Sequence, residues 1–183
     1  MKKRENKSSV QFFVDIHLSV CYDKYVGAVD ETAHFFCGGT PMLIAIFGEN
    51  CTGKSTLAAA LNARLNAQIY TGKDYLRLAK NEAIARKLFR DKLAQAVTGD
   101  PVIYIISEKD HLSLLPEGCT RILVTAELDT IKSRFAQRMH GNLPAPVASM
   151  LERNHGCFDS EPHQFHVIAG QTDPEALFLA LGV

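Results

Sequence analysis

Apolar residues recur along this chain with two different periods, and the switching between them outlines its architecture. Val10, Phe12, Val14, Ile16, Leu18 and Val20 fall at every second position, the period of a strand with one buried face. Gly38, Gly39 and Pro41 then punctuate the chain. Residues 42–47 (MLIAIF) form an unbroken apolar run closed by a glycine, which predicts a parallel strand buried on both faces. Residues 55–66 change to a helical period, with Leu57, Leu61 and Leu65 four apart. A short second strand is predicted over 68–70, then an amphipathic helix over 81–97 with Ile84, Leu88 and Phe89 turned inward. Residues 102–106, 121–125 and 165–168 read as further strands, and Leu128, Ile131 and Phe135 stripe one more helix. Asp173 and Pro174 supply an N-cap and a first-turn proline for a last helix. Strands and helices alternating across short connections predict a three-layer α/β/α sandwich around a five-stranded parallel sheet.

The sharpest chemical signal lies between the first strand and the first helix. Gly48-Glu49-Asn50-Cys51-Thr52-Gly53-Lys54-Ser55 matches the pattern GxxxxGK followed by Ser or Thr without a gap. Glycines at these positions let successive backbone N–H groups turn toward phosphate oxygens, and the helix beginning near Gly53 adds a partial positive charge. Gly48, Asn50, Cys51, Thr52, Gly53, Lys54, Ser55 and Thr56 therefore form the expected cradle for a nucleoside triphosphate, most simply ATP. Lys54 would bridge the β- and γ-phosphates, and the Ser55 hydroxyl would ligate Mg²⁺. Cys51 inside the loop is read as an incidental small residue.

Composition narrows the partners. Twenty acidic and 20 basic side chains balance, so nothing in the net charge calls for nucleic acid or an anionic membrane. The longest apolar runs fall well short of the roughly 18 residues needed for a membrane span. The five cysteines contain no CxxC pair, and the basic start at Met1 to Arg4 is followed by no clean signal sequence. Free thiols in the cytoplasm are the expected state. Neither a monomer nor a dimer is specified. Met42 stands directly before the first strand, where many P-loop domains begin. The expected organisation is a P-loop domain over 42–183, preceded by an extension over 1–41 that is disordered or not part of the native protein.

Beyond the loop, residues 42–183 resemble the adenylate-kinase-like branch of small P-loop kinases, which includes shikimate and cytidylate kinases. Ile69-Tyr70-Thr71-Gly72-Lys73-Asp74-Tyr75-Leu76-Arg77 is similar to that family's I-S-T-G-D-x-L-R segment, with one residue more between Gly72 and Leu76. The resemblance nominates Thr71 and Arg77 for the acceptor, and Asp74 for acceptor or Mg²⁺; a helix N-cap is the alternative for Asp74. Lys132-Ser133-Arg134-Phe135-Ala136-Gln137-Arg138 resembles the segment leading into the family's lid, which implies catalytic roles for Arg134 and Arg138. Guanidinium groups four apart on one helix face can clamp charge that grows on phosphoryl oxygens; two solvated arginines are the plainer alternative. The lid would span about residues 139–157, with a short helix over 147–154 and Arg153 as its further arginine. Residues 167–175 are similar to the family's last strand and base-binding loop, which points to Gly170 and Gln171.

The departures bear on the acceptor. The Gly-Phe-Pro-Arg segment of adenylate kinases is absent, and Ile105-Ile106-Ser107-Glu108-Lys109-Asp110 stands in its place. Glu108, ahead of Asp110, is the candidate carboxylate for Mg²⁺. His155, Cys157, His163 and His166 match no zinc spacing and read as ordinary histidines and a thiol. The implied function is transfer of the γ-phosphoryl group of MgATP to a nucleotide or other small acceptor. The alternative is a nucleotide-binding regulatory module or an ATPase; a GTPase is disfavoured by the lack of an N-K-x-D motif.

Overall fold

A computed structural model describes residues 42–183; the alternation at 10–20 and the extension over 1–41 lie outside the described residues. The apolar run after Met42 becomes β1 (Leu43–Phe47), with all five residues buried. β2 (Gln68–Thr71), β3 (Val102–Ile106), β4 (Thr120–Thr125) and β5 (Phe165–Ile168) complete a parallel sheet in the order β2-β3-β1-β4-β5. This order explains the compositions. β1 and β3 are central, covered on both faces, and consist of apolar residues with one tyrosine. The edge strands β2 and β5 are shorter and partly exposed.

Alternation along β1 divides the core. Leu43, Ala45 and Phe47 face α2 (Glu82–Ala96), while Ile44 and Ile46 face α1 (Lys54–Leu65) and α5 (Pro174–Leu181). A third cluster joins Cys51 and Ala126 to Ile131 of α3 (Leu128–Arg138) and Leu151 of α4 (Ala145–Asn154). The last helix begins as its sequence predicts: Asp173 accepts a hydrogen bond from Glu175 N, and Pro174 fills the first turn.

The inward face of α2 differs from the prediction. Phe89 is fully buried, but Ile84 and Leu88 are 54% and 45% exposed. The buried stripe is Ala85, Phe89, Leu93 and Ala96, spaced four, four and three. Phe89 sets the rotation of the helix, because its ring is wedged edge-on against Tyr70 and Tyr104. Ile84 and Leu88 each precede a buried position by one residue, about 100° round the helix.

The chain leaves β1 for one side of the sheet through α1 and later returns to the other side as β4. Such a reversal opens a crevice at the carboxyl ends of parallel strands. The Gly48–Ser55 loop lies there. Two short 3₁₀ segments, Asp74–Arg77 and Lys109–Leu114, follow β2 and β3 at the same end of the sheet.

Candidate active site

The loop owes its shape to three residues with positive φ. Gly48 has φ 144°, Cys51 65° and Gly53 109°. At Gly48 the requirement is absolute in space as well as angle: a Cβ would lie 2.1 Å from the Val124 carbonyl oxygen of β4. Gly53 caps α1 without a side chain, and no acidic residue stands in the first turn. The N-terminal dipole of α1 is therefore left unneutralised by the helix itself. Thr56 N and Leu57 N both bond to Gly53 O, so the helical ladder begins beyond Ser55. Ser55 and Thr56 are exposed.

Lys54 is only 5% exposed. Its Nζ donates to Gly48 O at 2.9 Å and also to Glu49 O, so the ammonium is held inside the loop's own turn. Burial pulls its pKa down to about 8; the nearby Arg138 acts in the same direction, and Cys51 and Glu49 oppose it. A lysine held this way keeps its proton at neutral pH and gains from an arriving anion.

Both arginines of the predicted pair reach the loop region from α3. Arg134 Nη1 donates to Cys51 O at 3.0 Å and to Thr52 O at 3.1 Å, bracing the loop from outside. A cleft of about 590 Å³ opens beside it, lined among others by Thr56, Arg134, Arg138, Gly170 and Thr172. Cys51, Thr52 and Gly53 also line it, so part of the predicted loop meets the two α3 arginines and Gly170 in one cleft, whereas Gly48, Asn50, Lys54 and Ser55 lie outside its lining. Thr172 fixes the far wall, its Oγ1 accepting from Ile168 N at 2.9 Å. Arg153 does not join them. It is exposed on α4, and its Nε turns back to Ser149 O.

The predicted acceptor residues lie elsewhere at this end of the sheet. Asp74 Oδ2 accepts from Thr71 N at 2.8 Å and from Thr71 Oγ1 at 2.9 Å. These bonds, the backbone one foremost, hold the Asp74 carboxyl below its ordinary pKa. Asp74 thus bonds backward onto the end of β2 and is not an N-cap; that position belongs to Lys73. Arg77 Nη2 lies 3.6 Å from Asp74 with its own side chain 85% exposed. Glu108 follows β3 and pairs with Lys73 at 3.4 Å. Asn50 is exposed at the tip of the loop.

Among the described residues no group of three or more His, Cys, Asp or Glu is arranged to hold a metal ion. His155 meets Glu49, and His166 Nε2 lies 2.8 Å from Thr125 Oγ1. The His163 and His166 rings stack edge-to-face at 5.7 Å. None of the described helices is long and apolar enough to cross a membrane.

Two contacts go beyond the residues singled out from the sequence. Glu49 occupies a wildcard position of the motif, yet its Oε1 accepts from Gly156 N at 2.7 Å across 107 residues. No local pattern marks such a pairing. Thr172 had a local signal, a hydroxyl just before the Asp-Pro helix start, where such groups bond to nearby backbone.

No protein-family model and no curated protein matches the sequence. Solved structures do match the fold. Shikimate kinase from Acinetobacter baumannii in complex with shikimate superposes with a TM-score of 0.55 at 13% identity, over 79% of this chain and 94% of that one. A sugar kinase from Janibacter sp. HTCC2649 gives 0.52 at 17% identity, over 76% and 91%. A gluconokinase from Sinorhizobium meliloti 1021 gives 0.52 at 14% identity, over 78% and 90%. The chain has the α/β/α fold of small P-loop kinases.

Proposed function

We propose that this protein is a cytoplasmic small-molecule kinase that moves the γ-phosphoryl group of MgATP to a nucleotide or another small acceptor. The observation that carries the reading is the meeting of three cations at one loop: Lys54 buried inside it, Arg134 bonded to its carbonyls and Arg138 close enough for its charge to act on Lys54. Phosphoryl transfer needs little covalent help from a protein; it needs positioned charge where negative charge develops.

The loop fits a triphosphate. Its two glycines have positive φ, no Cβ crowds the floor at Gly53, and the lysine ammonium is already turned inward. Lys54 and the loop amides would hold the phosphates, and the cleft toward Gly170 would take the base. The exposed Ser55 hydroxyl would be the protein oxygen that holds Mg²⁺. Bound there, Mg²⁺ would neutralise charge on the phosphate oxygens. Glu108 is the carboxylate assigned to assist, once released from Lys73.

Residues 139–157 are assigned as the lid, bounded by positive φ at His140, Gly141 and Gly156. Closure would exclude water and bring Arg153 toward the phosphates. Thr71, Asp74 and Arg77 are assigned to the acceptor. The three described cysteines are free thiols, in keeping with a reducing compartment.

The test is ADP release from MgATP across nucleoside monophosphates, sugars, sugar acids and cyclic polyols. Release stimulated by one acceptor class supports the kinase. Tight MgATP binding with no stimulated release would instead mark a regulatory module.

Lys54 also predicts a pH dependence. Phosphate binding needs the ammonium, and the free protein loses it as pH rises through about 8. MgATP affinity is therefore expected to be flat below pH 7 and to fall above pH 8, by up to about tenfold per unit. Calorimetry in buffers of different ionisation enthalpy should show proton uptake on binding only at the higher pH. In the free protein the sign is opposite. Between about 8 and the ordinary lysine value of 10.5 the unfolded chain binds the extra proton, so this group's contribution to stability rises with pH.

A further inference from the structure

Glu49 does more than fill a variable position in the loop. Its backbone carbonyl accepts from both Thr52 Oγ1 and Lys54 Nζ, so it is the point where the lysine and the turn are joined. Its side chain, 11% exposed, reaches the turn after α4, where Oε1 accepts from Gly156 N at 2.7 Å and lies 3.3 Å from His155 Nδ1. That turn is itself anchored. Phe158, two residues on, is 2% exposed and sets its ring 6.0 Å from Phe47, the last residue of β1. Gly156 has φ 75°, and a Cβ there would come within 3.0 Å of Asp159 Oδ2. On the other side of the loop, buried Cys51 shares a cluster with Leu151 of α4 and Ile131 of α3.

We propose that Glu49 is a positioning residue whose carboxylate ties the phosphate loop to the hinge of the lid at His155–Gly156. The proposal rests on the kinase reading for its functional meaning and on the contacts alone for its existence. The loop is held at two points by the segment that carries the lid helix: at Glu49 by a hydrogen bond and at Cys51 by packing. A tether at the hinge keeps the Glu49 carbonyl, and with it the Lys54 ammonium, in register while α4 swings about Gly156. It also makes the loop's shape depend on that segment, so ordering of the lid and grip on the phosphates reinforce each other.

The experiment compares Glu49→Ala, Glu49→Gln and Glu49→Asp in the full chain by amide hydrogen exchange and by MgATP titration. Glutamine keeps an oxygen at the right reach for Gly156 N, whereas aspartate keeps the charge but is one methylene short. Glu49→Ala and Glu49→Asp should speed exchange at residues 155–157 about tenfold and raise the MgATP Kd by about tenfold. Glu49→Gln should stay within about threefold of the wild type in both. With turnover, kcat should fall together with affinity in Glu49→Ala and Glu49→Asp, which a loss of fold stability alone would not produce. Wild-type exchange and affinity in Glu49→Asp, or a Glu49→Gln as impaired as Glu49→Ala, would overturn the tether. A wild type that binds no MgATP would end the kinase reading instead, and the exchange comparison would still decide the tether.

Discussion

Replacing Lys54 with alanine should lower phosphoryl transfer by about a thousandfold or more while leaving the protein folded. The lysine is the one cation built into the loop itself, with its ammonium on Gly48 O and Glu49 O. Charge that develops on the transferred group has no equivalent partner once it is gone, because Arg134 and Arg138 approach the loop from α3 and neither stands inside it. Stability should change little, since a buried cation is costly and Glu49 O retains the Thr52 hydroxyl as a donor. Lys54→Arg should fail nearly as badly: a planar, branched guanidinium cannot follow the narrow path that a single ammonium takes between two carbonyls. Transfer assays and thermal melts on the same preparations check both halves.

Gly48→Ala should have the largest effect on the fold. The residue has φ 144°, and its Cβ would stand 2.1 Å from Val124 O and 3.1 Å from Val124 C. Val124 is backbone of β4, which pairs with β1 in the centre of the sheet, so nothing flexible can give way. Either the two strands part or the loop is rebuilt, at a cost of about 3–5 kcal/mol. Tm should fall by about 10 °C, with loss of MgATP binding. Gly53→Ala is the informative comparison. Its φ of 109° is also strained, but the added Cβ meets only Arg134 Nη1 at 3.7 Å. It should lose about 1–2 kcal/mol and weaken nucleotide binding more than folding.

Much of this architecture was legible because it depends on local pattern. Continuous apolar runs became the central strands, and the glycine-lysine motif became a loop with positive φ where the glycines stand. Asp173-Pro174 began a helix as its chemistry requires. Arg134, Arg138 and Gly170, singled out from the sequence, line one cleft with part of the loop. Failures came where tertiary contact outweighed pattern. Hydrophobicity alone placed Ile84 and Leu88 inward, but the wedge of Phe89 between two tyrosines turned them out. Asp74 read equally as a ligand or a cap; it is not the cap, because its carboxylate bonds back to Thr71, a contact that depends on how β2 ends. Glu49 could not be read at all, since its partner comes from the other end of the domain.

Transfer, as distinct from binding or hydrolysis, is followed most directly through the fate of the γ-phosphate. The full chain is incubated with Mg²⁺ and ATP labelled in the γ-phosphate, with and without the acceptor class that stimulates ADP release. Label is expected on the acceptor, with little as inorganic phosphate, and Lys54→Ala is expected to abolish the transfer. Label released only as inorganic phosphate, or label on the acceptor undiminished in Lys54→Ala, would contradict the kinase reading.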